Sequence, residues 1–241
     1  MRSLLRLGLD FVLFSSVVLV LPFLAFFAWW RFHFFHRNPP RTIPPGTDPV
    51  CPADGTIVYL DDVELGPASP SGLRPGAHDV YHQRVREAFA VDGRWNVIAT
   101  YLGIFDVHVV RAPIAGVIRL RRMQPAGDNT SMGVSFFFAA LRRPLPAGRR
   151  GYMNKNEFLG VEIAGEIRVL LVLMADWWID QIVPFVADGA RVERGQVIGR
   201  IRMGSQVDLW SERGVLVPAC EIGERVRAGE VVMGRLKAAP A

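Results

Sequence analysis

A short pattern occurs twice near the C-terminus. Gly189-Ala190-Arg191-Val192-Glu193-Arg194-Gly195-Gln196-Val197 and Gly223-Glu224-Arg225-Val226-Arg227-Ala228-Gly229-Glu230-Val231 share Gly-x-x-Val-x-x-Gly-x-Val at an offset of 34 residues. Each copy is a turn glycine, one apolar anchor, a second turn glycine and a short strand. Glycines at that spacing punctuate the backbone and leave no room for a helix. The region is therefore expected to be small, turn-dense and largely antiparallel β. Strand signals upstream agree: Ile57 to Leu60, Asn96 to Leu102, Val117 to Arg122, Phe158 to Ile163 and Ile167 to Met174. Val169 to Leu173 is apolar without alternation, as in a strand buried on both faces. Gly165-Glu166 reads as a hairpin turn, and Tyr81 to Val91 as a short helix or the end of a long loop.

The first 35 residues hold much of the apolar excess. Leu9 to Trp30 is long enough for one tilted membrane helix, and Trp29 and Trp30 close it where interfacial aromatics collect. Pro22 allows a kink or a re-entrant hairpin instead. No small-x-small cleavage site follows, so a retained anchor is expected over residues 1–37, with one domain over 38–241. Arg31, Arg37 and Arg41 after the run outnumber Arg2 and Arg6 before it. That bias puts the domain on the cytoplasmic side of a cell membrane. The segment from Phe32 to Pro39 reads as an interfacial exit.

The formal net charge is +5, which suits an anionic partner such as a membrane surface. No dense basic block with interleaved aromatics occurs, so nucleic acid is not expected. Cys51 and Cys220 are too few and too far apart for a zinc site or a disulfide scaffold, and no metal is expected.

Gly204-Ser205 falls between the two glycine-rich units. A serine hydroxyl that attacks its own preceding carbonyl forms an internal ester. It needs a turned backbone, a base and an oxyanion donor. His108 is the best base in the chain. In an extended segment Asp106 and His108 share a face, so Asp106 is one candidate orienter. Asp54, in the turn Pro52-Ala53-Asp54-Gly55, is the other. Arg119, Arg121 and Arg122 form a basic cluster that reads equally well as a phosphate site or a solvated face. The proline-broken basic loop from Arg142 to Gly151 suits an anionic bilayer surface.

Taken together, these pieces resemble the short, pyruvoyl-dependent phosphatidylserine decarboxylases over nearly the whole chain. The matching segments are Phe34 to Pro39, Pro52 to Gly55, Phe105 to Val109 with Arg111-Ala112-Pro113, Asn154 to Glu157, and Gly199 to Ser205. The resemblance implies self-cleavage between Gly204 and Ser205 into two chains that stay associated without a covalent link. Ser205 then becomes the pyruvoyl cofactor. It forms a Schiff base with the amine of phosphatidylserine, whose carboxylate leaves as CO2 to give phosphatidylethanolamine. It further implies His108 and Asp54 as a protease-like triad with Ser205, which favours Asp54 over Asp106. Arg111, Arg119 and Arg121 are the candidates for the lipid phosphate. A homo-oligomer is left open. The glycine units also resemble the hammerhead-like β units of lipoyl and biotinyl carrier domains, without the central lysine that carrier function needs. Gln206 departs from the Thr or Ser of longer members, and 174–180 departs from their small, Arg-bearing segment. Another amino-acid headgroup, a soluble amine acid, or a non-catalytic lipid-binding role are therefore the alternatives.

Overall fold

A computed structural model describes residues 2–66, 79–123, 129–177, 182–201 and 205–237. The chain divides into two compact units, Met1–Arg37 and Asn38–Ala241.

The first unit is a single helix, α1 (Arg2–Trp29), continued by one wider turn over Trp30–Phe34. Pro22 lies inside it without ending it, so the apolar run is a continuous helix and not a hairpin. Phe14–Phe34 is long and apolar enough to cross a membrane. Aromatic pairs Phe26–Trp29 and Phe27–Trp30 line its C-terminal end. Beyond it the Arg37 guanidinium lies 3.7 Å from the Phe34 ring centroid and donates to the Phe34 carbonyl.

The second unit is mostly β with two short helices among the described residues. Its strands are β1 (Gly55–Leu65), β2 (Gly93–Leu102), β3 (Val109–Arg111), β4 (Gly116–Met123), β5 (Phe158–Ala164), β6 (Arg168–Ala175), β7 (Ile182–Pro184) and β8 (Arg191–Val192). They continue with β9 (Val197–Ile201), β10 (Ser205–Glu212), β11 (Leu216–Pro218), β12 (Arg225–Val226) and β13 (Gly234–Leu236). The helices are α2 (Asp79–Phe89) and α3 (Gly133–Ala140). The main sheet runs β12-β1-β2-β10-β6-β5-β4-β8, and every pairing in it is antiparallel. A smaller sheet, β3-β9-β7, lies apart from it in the hydrogen-bonding order.

Alternation along each central strand sorts side chains into two cores. Leu171, Leu173, Val207 and Leu209 join one cluster with Ala53, Val110, Ala112, Ile201 and Val226. Leu170, Val172 and Trp210 join the other with Tyr59, Tyr81 and Met153. The unalternated run Val169–Leu173 is thus buried on both faces, as its composition requires. α2 settles the Tyr81–Val91 segment as helix. α3 gives no apolar period in the sequence: its buried positions are Ser135 and Ala139, Phe138 is half-buried against the second core, and Val134, Phe136 and Phe137 are exposed.

The two glycine patterns make the same backbone bonds. Gly189 donates to Ile118 and Gly223 to Ile57, each at 2.8 Å; Ile118 returns a bond to Ala190 and Ile57 to Glu224. Gly195 donates to Ala112 and Gly229 to Cys51, again at 2.8 Å. The segments they clasp are themselves joined reciprocally: Val50 donates to the Pro113 carbonyl and Arg111 to the Pro52 carbonyl. Gly195 and Gly229 have φ of +81° and +80°. A Cβ on either would fall under 3 Å from Ile43 Cδ1. Both positions therefore need glycine for conformation and for space.

Candidate active site

Ser205 opens β10 in the middle of the sheet, between Leu102 of β2 and Ala175 of β6. By strand alternation it shares a face with Val207 and Leu209, the face toward the core cluster that contains Ala53, Val110 and Ile201. Its side chain is fully buried, and its Oγ makes no hydrogen bond among the described residues. A buried hydroxyl without a partner is costly, and a reactive role is one of the explanations such an atom calls for. Gly204 lies outside the described residues, as do Arg202 and Met203.

His108 reaches the same neighbourhood by two routes. Its carbonyl accepts from Ile201 N at 3.1 Å, at the end of β9. Ile201 and Ser205 are four Cα steps apart, so at most about 14 Å separates them. In the other direction, Leu102 pairs with Ser205 and leads into the tight turn Gly103–Asp106, closed by Asp106 N to Gly103 O at 2.9 Å. That turn corrects one expectation. Residues 103–108 are not extended, so Asp106 and His108 do not project from one strand face; β3 begins only at Val109. The physical cause is Gly103, whose amide is capped by the Asp106 carboxylate at 2.8 Å.

His108 is fully buried. Its Nδ1 lies 2.9 Å from the main-chain carbonyl of Asp106. A carbonyl only accepts, so Nδ1 carries the proton and Nε2 carries the basic lone pair. The Asp106 carboxylate is used elsewhere: it pairs with Arg225, Nη2 to Oδ1 at 2.5 Å. Asp54 sits in the turn after Pro52, whose carbonyl accepts from Arg111 N three residues past His108. Its carboxylate accepts from Arg41 Nη2 at 2.7 and 3.0 Å and from Ala228 N at 2.8 Å. Arg41 is itself nearly buried and also faces Glu230 at 3.6 Å. Nothing local in a proline-rich connector marks Arg41 as the partner of Asp54; the sequence suggested only a membrane-flanking charge there.

The three proposed phosphate-binding arginines are dispersed. Arg111 donates to the Gly195 carbonyl and to Asn38 Oδ1, a latch between segments of the fold. Arg119 and Arg121 are exposed on β4, which is three strands from β10. That separation is about 14 Å across the sheet. The structure therefore does not gather them around Ser205. Arg142 and Arg225 instead line a cavity of about 350 Å³, together with Thr56, Tyr101 and the Gly103–Asp106 turn. Gly103 directly follows the residue paired with Ser205.

On the opposite face of β10 lies a buried polar network that composition alone did not reveal. Asp208 accepts from Tyr59 (2.6 Å), Tyr81 (2.7 Å) and Gln206 (2.7 Å). Gln206 accepts from Tyr152 at 2.6 Å. Burial pushes the Asp208 carboxyl up to about 6, against the opposing pull of those bonds. Gln206, the departure noted in the sequence, is thus held on both ends of its amide.

The phosphatidylserine decarboxylase family model matches residues 27–234, most of the chain. This chain belongs to that family. It is 33% identical over 220 residues to a phosphatidylserine decarboxylase proenzyme of Symbiobacterium thermophilum, covering 90% of this chain and 82% of that protein. A Thermobifida fusca proenzyme of the same name is 34% identical over 186 residues, 77% of this chain and 76% of that protein. One from Carboxydothermus hydrogenoformans is 28% identical over 237 residues, covering 97% and 93%. The match begins within α1 and runs through Ser205 to β13. The resemblance read from scattered segments is therefore a family relationship over the whole second unit.

Proposed function

We propose that the chain is a self-processing decarboxylase that converts phosphatidylserine to phosphatidylethanolamine. The observation that carries this, given the family, is the buried hydroxyl of Ser205 at the head of a central strand, without a hydrogen bond among the described residues. A pyruvoyl group there supplies a ketone for the substrate amine and an electron sink for the departing CO2.

The remaining roles belong to the chain's own side chains. His108 Nε2 takes the Ser205 proton when the hydroxyl attacks the Gly204 carbonyl. The Asp106 carbonyl holds the ring in the required tautomer. Asp54 supplies fixed negative charge on the same layer, oriented by Arg41. In the later reaction His108 returns a proton to the carbon that has lost CO2. Cleavage leaves Met1–Gly204 and Ser205–Ala241 held together without a covalent link. This is supported by the position of β10 between β2 and β6, by β12 on β1, and by the Asp106–Arg225 pair. The matched bonds of the two glycine patterns support reading them as one duplicated hammerhead-like unit. α1 anchors the protein in a cell membrane, with Arg31, Arg37 and Arg41 favouring a cytoplasmic second unit.

The test is turnover. Processed protein in detergent micelles is offered phosphatidylserine and free serine separately, and CO2 is measured. Release from the lipid alone is expected. Equal release from free serine contradicts a lipid-specific site.

A further inference from the structure

We infer that the catalytic unit docks on the bilayer through α3 and the Gly103–Asp106 turn, with Arg142 and Arg225 at the level of the lipid phosphates. This rests on the reading above that the substrate is a phospholipid.

α3 has the sequence Gly-Val-Ser-Phe-Phe-Phe-Ala-Ala, and it buries the wrong residues for a core helix. Ser135 is fully buried, donating to the Tyr152 hydroxyl at 3.0 Å, while Phe136 and Phe137 are 51% and 58% exposed. Val134 and Leu141 are exposed beside them. On the 103–106 turn, Phe105 is 63% exposed and Ile104 is exposed as well. These are not scattered surface residues. Ile104, Phe105 and Phe136 rim the same cavity of about 350 Å³ that Arg142, Arg225, Thr56 and Tyr101 line. A contiguous apolar rim around a polar, basic opening marks an interaction surface and not chance exposure.

Charge selects the occupant. Arg142 and Arg143 follow α3 directly, and Arg149 lies in the next turn; all three are exposed. Arg225 keeps about half of its side chain exposed while pairing with Asp106. Apolar side chains bordered by cations match the acyl and phosphate layers of an anionic leaflet. A protein partner would need apolar complementarity but no row of arginines along the border. The geometry also explains why the rim and the cavity coincide. A lipid whose chains stay in the bilayer can present its phosphate to Arg142 and Arg225 at the cavity beside Gly103.

Cys51 and Cys220 are buried, and burial pushes both thiols up to about 12. A thiol reagent at neutral pH therefore marks an introduced surface cysteine. The full chain carrying Phe137→Cys, or Arg119→Cys on exposed β4 as the comparison, is labelled with a polarity-sensitive fluorophore. It is reconstituted in phosphatidylcholine vesicles containing phosphatidylglycerol and brominated lipid. The label at 137 is expected to shift to the blue and to be quenched by lipid-borne bromine, and the label at 119 to do neither. Equal quenching at both positions, or none at 137, overturns the proposal. Self-cleavage of each labelled protein, read on a denaturing gel, reports folding and the proposed processing independently. Its absence would count against the decarboxylase reading while the depth measurement still stood. High salt should weaken quenching at 137 if the arginine border contributes.

Discussion

In the proposed reaction three side chains carry the chemistry, and each is held differently. His108 is oriented by a main-chain carbonyl, Asp54 by Arg41 and an amide, and Ser205 Oγ by none among the described residues. The tautomer of His108 therefore does not depend on the Asp106 carboxylate. Asp106→Asn should leave self-cleavage near the parent rate, whereas Asp54→Asn should slow it and His108→Ala should abolish it, all read from time courses on denaturing gels. The reverse order for the two aspartates would make Asp106 the working carboxylate. Arg41→Met strands a nearly buried carboxylate, at a cost of about 3 kcal/mol, measurable as a lower denaturant midpoint. His108 and Ser205 were proposed because their segments resemble a family pattern. Arg41 and Arg225 were not, because an ion pair between residues 13 or 119 positions apart leaves no local trace. The alternation rule failed at Asp106 for a physical reason: a glycine-initiated turn interrupts the strand that the rule assumes.

At the scale of elements, the glycine units were read correctly as turns and short strands. What they clasp shares its own pattern, Pro-x-x-Gly-x-Ile at Pro52–Ile57 and Pro113–Ile118, but nothing local in that pattern says which glycine unit closes on which segment. A Cβ at Gly195 or Gly229 would run into Ile43, which gives a coupled prediction. Gly229→Ala should destabilise by at least about 1 kcal/mol from its positive φ alone. Ile43→Ala should relieve part of that cost, so the double variant should be more stable than additivity predicts in denaturant melts. α3 was invisible for the opposite reason: Phe136 and Phe137 face outward while Ser135 is buried, so the helix gives no inward-facing apolar period. β10 carries a second prediction. The Asp208 carboxyl titrates near 6 in the fold against an ordinary 3.8. The folded protein thus binds the extra proton between those values, and stability falls as pH rises from about 4 to about 6. At neutral pH the loss is roughly 3 kcal/mol. Asp208→Asn should flatten that part of the stability–pH curve. An unchanged slope would place the titrating group elsewhere.

At the scale of the whole molecule, the proposed cleavage point lies between elements that are each tied to the rest of the fold. The segment after it supplies a central strand, an edge strand, the amide on Asp54 and the cation on Asp106. Cutting one backbone bond removes none of these. The two fragments should therefore co-elute in detergent gel filtration and separate only under denaturing conditions. The most direct test of the account is the intact mass of the folded protein after extended incubation. Self-processing consumes one water and releases one ammonia. It should leave one species ending in the free carboxylate of Gly204 and a second spanning residues 205–241, lighter by one ammonia than the serine-started peptide. Ser205→Ala should give a single full-length mass. A single full-length mass from the unaltered protein, folded and incubated in the same way, would contradict the account.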